Sequence, residues 1–205
     1  MEILSRILAY VVLLFSITIH ESAHGWTANK FGDPTAYNMG RVTLNPIPHI
    51  DPIGTLLFPL IMMITGIPFI GWAKPVPVNP YNLKDPKKDN LWISFSGPLS
   101  NLMAAGAFII AGVILKSMFI LPSIILPILF YGALINSILA VFNLIPIPPL
   151  DGSGILMGFL SDEAAEKYEQ IRPFGFLIIL GLLFIGFLNL IFNPIYTFIS
   201  KVLLL

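Results

Sequence analysis

The stretch ILSRILAYVVLLFSITIHESAH, residues 3–24, decides what kind of protein this is. Ile3–Ile19 is an apolar block that the pattern carries helically to about Ala28. It runs straight into His20-Glu21-Ser22-Ala23-His24 with no small-residue cleavage site, so the segment is expected to stay in the mature protein. A helical span needs about 20 residues, which this block supplies. Three ionisable side chains crowded into such a span are expensive and point to function. Residues four apart share a helical face, so His20 and His24 can reach one metal ion. Glu21, beside the first of them, is placed to take a proton from water at that metal.

The whole chain agrees with a membrane setting. Of 205 residues, 56% are hydrophobic and 11% charged, where a soluble domain carries roughly 25% charged residues. Eleven Lys and Arg balance eleven Asp and Glu, and no basic cluster occurs, which argues against nucleic-acid binding. The absence of cysteine excludes disulfides, iron–sulfur clusters, thiolate metal sites and cysteine nucleophiles. Further apolar blocks lie at Ile53–Ile70, Leu91–Leu115, Leu126–Leu144 and Phe174–Phe192, with Trp26, Trp72 and Trp92 at block ends. Ile53–Ile70 is short and interrupted by Pro59, Gly66 and Pro68, and Asn193-Pro194 closes the last block. The fold class expected is an all-α polytopic membrane protein of about four to six transmembrane helices. A re-entrant segment and a short extended β-loop complete it, in a single domain over residues 1–205 (core about 1–160, C-terminal membrane segment about 171–205).

Two segments between blocks have readable local structure. Pro75 and Pro77 exclude a helix at Lys74-Pro-Val-Pro-Val-Asn79 and leave Val76 and Val78 able to pair along one edge, the signature of an edge strand. Ser161 is a candidate N-cap for a soluble-looking helix over 162–170, with acids in its first turn.

A hydrolytic zinc site needs a third protein ligand and an open position. With no cysteine, the candidates are His49, Asp51, Asp151 and scattered surface acids. Asp151 is the best placed, because it lies in Asn143-Leu-Ile-Pro-Ile-Pro-Pro-Leu-Asp-Gly152, at the end of an apolar block whose prolines must break the helix. Broken backbone at membrane depth is tolerated where it lines a cavity. The competing reading of Asp151 is a turn residue before Gly152. His49, flanked by prolines, reads either as a loop histidine bonded to backbone or as a residue at the site mouth. Asn101 follows Gly97-Pro98, which reads as a helix start; it either bonds between helices or stabilises an oxyanion.

Taken together, His20-Glu21-x-x-His24, Gly97-Pro98-x-x-Asn101 and Asn143-x-x-Pro146…Leu150-Asp151-Gly152 resemble the three signatures of site-2 proteases, the intramembrane zinc metalloproteases. The resemblance covers about residues 8–160 and implies one zinc ion per chain held by His20, His24 and Asp151, with Glu21 as catalytic base. It implies that Asn143 helps position substrate and that Lys74–Asn79 is the family's membrane re-entrant β-loop. Beyond this the chain has no room for a PDZ or CBS domain, so it is expected to be a small form.

Geometry adds a topology. If His24 and Asp151 share a metal, an even number of crossings separates them; Leu91–Leu115 and Leu126–Leu144 supply two, leaving Ile53–Ile70 re-entrant or surface-lying. Lys30, Arg41, Lys74, Lys84, Lys87, Lys88, Lys167 and Arg172 then face one side, against Arg6, Lys116 and Lys201 on the other. That imbalance puts the site toward the cytoplasmic face of a cell membrane. The expected partners are transmembrane protein substrates and membrane lipid, with no nucleic acid. The alternative functions are a divalent-metal transporter, disfavoured by the lack of an internal repeat, and a catalytically inactive membrane scaffold.

Overall fold

The computed structural model describes residues 2–65, 72–118 and 125–204. The first helix, α1 (Glu2–Lys30), is sorted by face. Leu4, Ile7, Val11 and Phe15 are exposed, at spacings of three and four, while Val12, Ser16, His20, His24 and Ala28 are buried at spacings of four. The polar residues are therefore inside and the large apolar ones outside, the arrangement expected where lipid is the solvent.

After α1 come a one-turn helix, α2 (Thr35–Asn38), and an irregular stretch leading to a wide π-turn at Pro52–Leu57 that continues as α3 (Phe58–Thr65). Asp51 caps this element by accepting from the N–H groups of Ile53 and Gly54. Pro52–Thr65 rises about 21 Å at most, short of the ~30 Å hydrocarbon layer. The chain also comes back to where it left: the Thr55 hydroxyl donates to the Trp72 carbonyl at 2.8 Å, and the rings of Phe58 and Trp72 meet edge to face at 5.3 Å. The end of the Ile53–Ile70 block, 66–70, lies outside the described residues.

Two long helices follow, α4 (Pro86–Ser117) and α5 (Ile125–Asn143). The start of α4 is capped reciprocally, Asp85 accepting from Lys88 N–H while Asp89 accepts from Asp85 N–H. Gly97-Pro98 is therefore not a helix start, because Pro98 sits inside α4. Ser96 and Ser100 donate back to the carbonyls of Ile93 and Gly97 around it, and such side-chain bonding lets membrane helices carry an internal proline. Next come α6 (Asp151–Phe159), α7 (Asp162–Glu169), α8 (Gly175–Phe184) and α9 (Phe187–Leu203). Ser161 caps α7 by accepting from Ala164 N–H, as its sequence suggested.

Among the described residues α1, α4 and α5 are long and apolar enough to cross a membrane; a fourth span exists if the bent pair Asp162–Phe184 and Phe187–Leu203 is counted as one. The lower end of the expected four to six is thus reached only with that pair counted. The last block breaks by 64° at Gly186 (φ +74°), while Pro194, beyond the expected end of that block, continues inside α9. No strand forms among the described residues. Lys74–Asn79 instead bonds to loops and side chains: Lys74 N–H to the His49 carbonyl, Val76 N–H to Glu21, Asn79 N–H to Asp33. Pro75 and Pro77 have no N–H to offer a neighbouring strand.

The central element is α4, packed on α1, α5, α6 and α9. One apolar core joins Phe130 and Ala133 of α5 to Ile199 and Leu203 of α9; another joins Ala28 of α1, Leu83 just before α4, and Ile93 of α4. The second core sets the C-terminal end of α1 beside the start of α4. Running through α4 and back through α5 then returns the chain to that side before α6.

Candidate metal centre

His20 and His24 sit one turn apart on the buried face of α1. Asp151, the first residue of α6, meets them: its carboxylate oxygens lie 3.0 Å from His20 Nε2 and 3.3 Å from His24 Nε2, and the two Nε2 atoms are 3.0 Å apart. The break between α5 and α6 makes this meeting possible. Its prolines end α5, the Tyr168 hydroxyl of α7 donates to the Pro146 carbonyl at 2.8 Å, and Gly152 lets the turn close. A Cβ on Gly152 would stand 2.3 Å from the Leu144 carbonyl oxygen, so the Asp-Gly pair is a packing requirement here.

The far side of each imidazole is fixed. His20 Nδ1 lies 2.6 Å from Asn101 Oδ1, and His24 Nδ1 lies 2.7 Å from the Ile93 carbonyl. Both partners are oxygens of C=O groups, which only accept, so both Nδ1 atoms carry the protons and both Nε2 lone pairs point inward. Three acceptors therefore face one another at 3.0–3.3 Å. Such convergence is repulsive without a cation and matches the ~3.3 Å ligand spacing of a tetrahedral site with bonds of 2.0–2.1 Å. Gly97 of α4 lies directly over the pair, where a Cβ would be 2.5 Å from His24 Cε1 and Nε2 and 2.7 Å from His20 Cε1.

Glu21 turns to the opposite wall, its Oε2 accepting from Val76 N–H at 2.8 Å. That wall is secured by Arg41, which is buried and donates from Nη2 to the carbonyls of Lys74 and Pro75 at 2.6 and 3.3 Å. The other residues singled out from sequence are placed as follows. Val76 is buried and Val78 packs against the Ala28, Leu83 and Ile93 core. Asn143 donates to its own helix, at the Leu139 carbonyl. Asn101, fully buried, lies behind His20. His49 is buried with Nε2 3.2 Å from the Thr43 carbonyl, which also accepts from Ser22, next to Glu21. Burial lowers the His49 pKa, Thr43 opposes this and Arg41 adds to it. Asp51 serves as a helix cap. Ser16 and Asn136 went unnoticed in the sequence, where the available signal was a polar residue within an apolar span; Gly97 was read as part of a helix start and Arg41 only as a charge on one side of the membrane.

Comparison with known proteins bears on what this centre is for. The model of peptidase family M50 matches residues 120–188. "Putative zinc metalloprotease YwhC" of Bacillus subtilis (strain 168) is 37% identical over 177 residues, 84% of this chain and 78% of that protein. The chain belongs to peptidase family M50. Within M50, "Putative zinc metalloprotease Rip2" of Mycolicibacterium smegmatis is 35% identical over 180 residues, covering 86% of this chain and 66% of that protein. Zinc metalloprotease MJ0392 of Methanocaldococcus jannaschii is 26% identical over 163 residues, 80% of this chain and 36% of that protein. No solved structure matches the chain. Zinc is the metal named for these M50 relatives, and two imidazoles with one carboxylate are a donor set that zinc takes. The cluster fits it.

Proposed function

We propose that this M50 chain is a zinc-dependent intramembrane metalloprotease, hydrolysing peptide bonds within or next to transmembrane segments of other membrane proteins in regulated intramembrane proteolysis. The observation that carries the reading is the meeting of Asp151, at the start of α6, with His20 and His24 on α1, a helix of membrane length, with Glu21 adjacent. Residues 1–205 act as one membrane-embedded domain. The Pro52–Thr65 segment is a re-entrant element; its limited length and the bond between Thr55 and Trp72 support this. Two crossings then separate His24 from Asp151, and the excess of Lys and Arg on that side sets the site toward the cytoplasmic face of the cell membrane.

His20, His24 and Asp151 hold zinc, which when bound lowers the pKa of water and polarises a carbonyl. Glu21 accepts the proton as water adds to the scissile carbonyl carbon and delivers it to the departing amine as the C–N bond breaks. The Val76 N–H aims the Glu21 carboxylate. A helical substrate hides its amides in its own i→i−4 bonds and must unwind before it can be cut. Backbone of the 76–78 stretch offers the unwound segment a partner by β-augmentation, beside a cleft of about 390 Å³ bordered by Val78, Leu83, Lys87 and Met157. Asn143 assists in holding substrate near the metal.

The test is cleavage of a reconstituted single-span protein by wild type and by Glu21→Gln, with fragment masses and zinc content recorded. Wild type is expected to cut within or beside the span, and Glu21→Gln to keep zinc and cut nothing. Equal cleavage by both would refute Glu21 as the base.

A further inference from the structure

Behind His20 runs a line of polar side chains at the junction of α1, α4 and α5. Asn101, Asn136 and Ser16 are 0%, 1% and 2% exposed, out of reach of both lipid and water. Each bond in the line fixes the next. Ser16 Oγ donates its single proton to the Val12 carbonyl at 2.8 Å, so toward Asn136 it can only accept. Asn136 Nδ2 gives one proton to that Oγ and the other to the Gly132 carbonyl, both at 2.8 Å. Its Oδ1 must then face α4, where it accepts from Asn101 Nδ2 at 2.8 Å. The second Asn101 proton goes to the Ser16 carbonyl at 3.1 Å. With both protons of its amide committed, Asn101 can present only Oδ1 to His20 Nδ1.

We propose that Asn136 is a positioning residue for the metal: acting through Asn101, it sets the tautomer and the aim of His20. If either amide turned over, an NH2 group would face Nδ1 and drive the imidazole proton to Nε2, onto the lone pair the metal needs. His24 has no such dependence, because its Nδ1 partner is the main-chain carbonyl of Ile93. The proposal rests on His20 being a zinc ligand. A residue that merely held the three helices together would also be buried and bonded, so the test has to separate orientation from packing.

Zinc affinity of the full chain in detergent, measured by competition with a chromophoric chelator, makes that separation. Loss of a partner that orients a histidine ligand typically weakens metal binding ~10- to 100-fold. Asn136→Leu and Asn101→Ala are each expected to fall in that range. The double variant is expected to be no weaker than Asn101→Ala alone, because the two residues act in series. Asn136→Asp, with its carboxyl protonated, keeps an acceptor toward Asn101 and a donor toward Gly132, and is expected to restore most of the affinity. The visible absorption of the cobalt-substituted protein is expected to shift in Asn136→Leu and to return in Asn136→Asp. Wild-type affinity in Asn136→Leu, or losses that add in the double variant, would overturn the proposal. Should Asn136→Leu fail to fold, Asn136→Asp falling as far as Asn101→Ala would overturn it as well. His20→Ala separates the two readings: zinc retained there removes the ligand assignment itself, whereas zinc lost there with normal affinity in Asn136→Leu removes only the role of Asn136.

Discussion

Gly97→Ala is the most informative single substitution outside the metal cluster. The added Cβ would stand 2.5 Å from His24 Cε1 and Nε2 and 2.7 Å from His20 Cε1. Ordinary carbon contacts are about 3.5–4.0 Å, so about 1 Å of relief is required. The α4 backbone cannot provide it, because α4 is packed on four other helices. The imidazoles can swing away, but only by leaving the position from which their Nε2 atoms converge with Asp151. Metal ligands tolerate about 0.2 Å of displacement. The strain therefore falls on the metal-loaded state. Overpacking of a buried site costs about 1–3 kcal/mol, equivalent to roughly 5- to 150-fold in affinity. The assay is chelator competition combined with thermal melting with and without zinc. Gly97→Ala is expected to melt near wild type in chelator, to gain much less from zinc, and to lose activity in proportion. Gly106→Ala, on the same helix with nothing within 4 Å of the added Cβ, is the control; it is expected to leave zinc binding unchanged. Wild-type zinc affinity in Gly97→Ala would show that the close approach of α4 does not constrain the centre.

Two further outcomes follow from the walls of the site. Val76→Pro deletes the N–H that donates to Glu21; cleavage is expected to fall with zinc content unchanged, and unchanged or faster cleavage would remove the role given to that bond. Asp33 is buried and accepts from Asn82, from the Thr35 hydroxyl and from the Asn79 and Thr35 N–H groups. Burial alone would raise its pKa, but these bonds bring it below the ordinary 3.8. A depressed folded pKa contributes stability above the unfolded value and loses it as pH falls through the folded one. Asp33→Asn is therefore expected to melt lower than wild type at neutral pH, by about 1–3 kcal/mol of stability, with the gap narrowing below about pH 4. A gap independent of pH would contradict the charge-based account.

Much of the site was legible because its signals are local. The i, i+4 spacing of His20 and His24 needs only helical periodicity, and the proline-broken approach to Asp151 needs only the rules for helix ends. Ser161 announced a cap for the same reason. What escaped depends on contacts between distant segments. Pro98 and Pro194 read as boundaries because the missing N–H is visible in sequence, whereas the packing that keeps α4 and α9 continuous across them is not. The bend fell at Gly186, a residue with no special neighbour in the chain. Alternation at Val76 and Val78 suggested an edge strand, yet the Val76 amide bonds a side chain from α1. Asn136 lies far from His20 in sequence, and only the three-helix junction brings its amide into line with the imidazole.

The two histidines differ in what holds them, and that difference is heritable. Any amino acid at position 93 supplies the carbonyl that orients His24, so mutation has almost no target there. His20 depends on side chains at 16, 101 and 136, a small set of codons open to change. A selection for variants with a different metal preference should therefore enrich substitutions at those three positions and leave the neighbourhood of Ile93 untouched. The centre is robust on one flank and adjustable on the other.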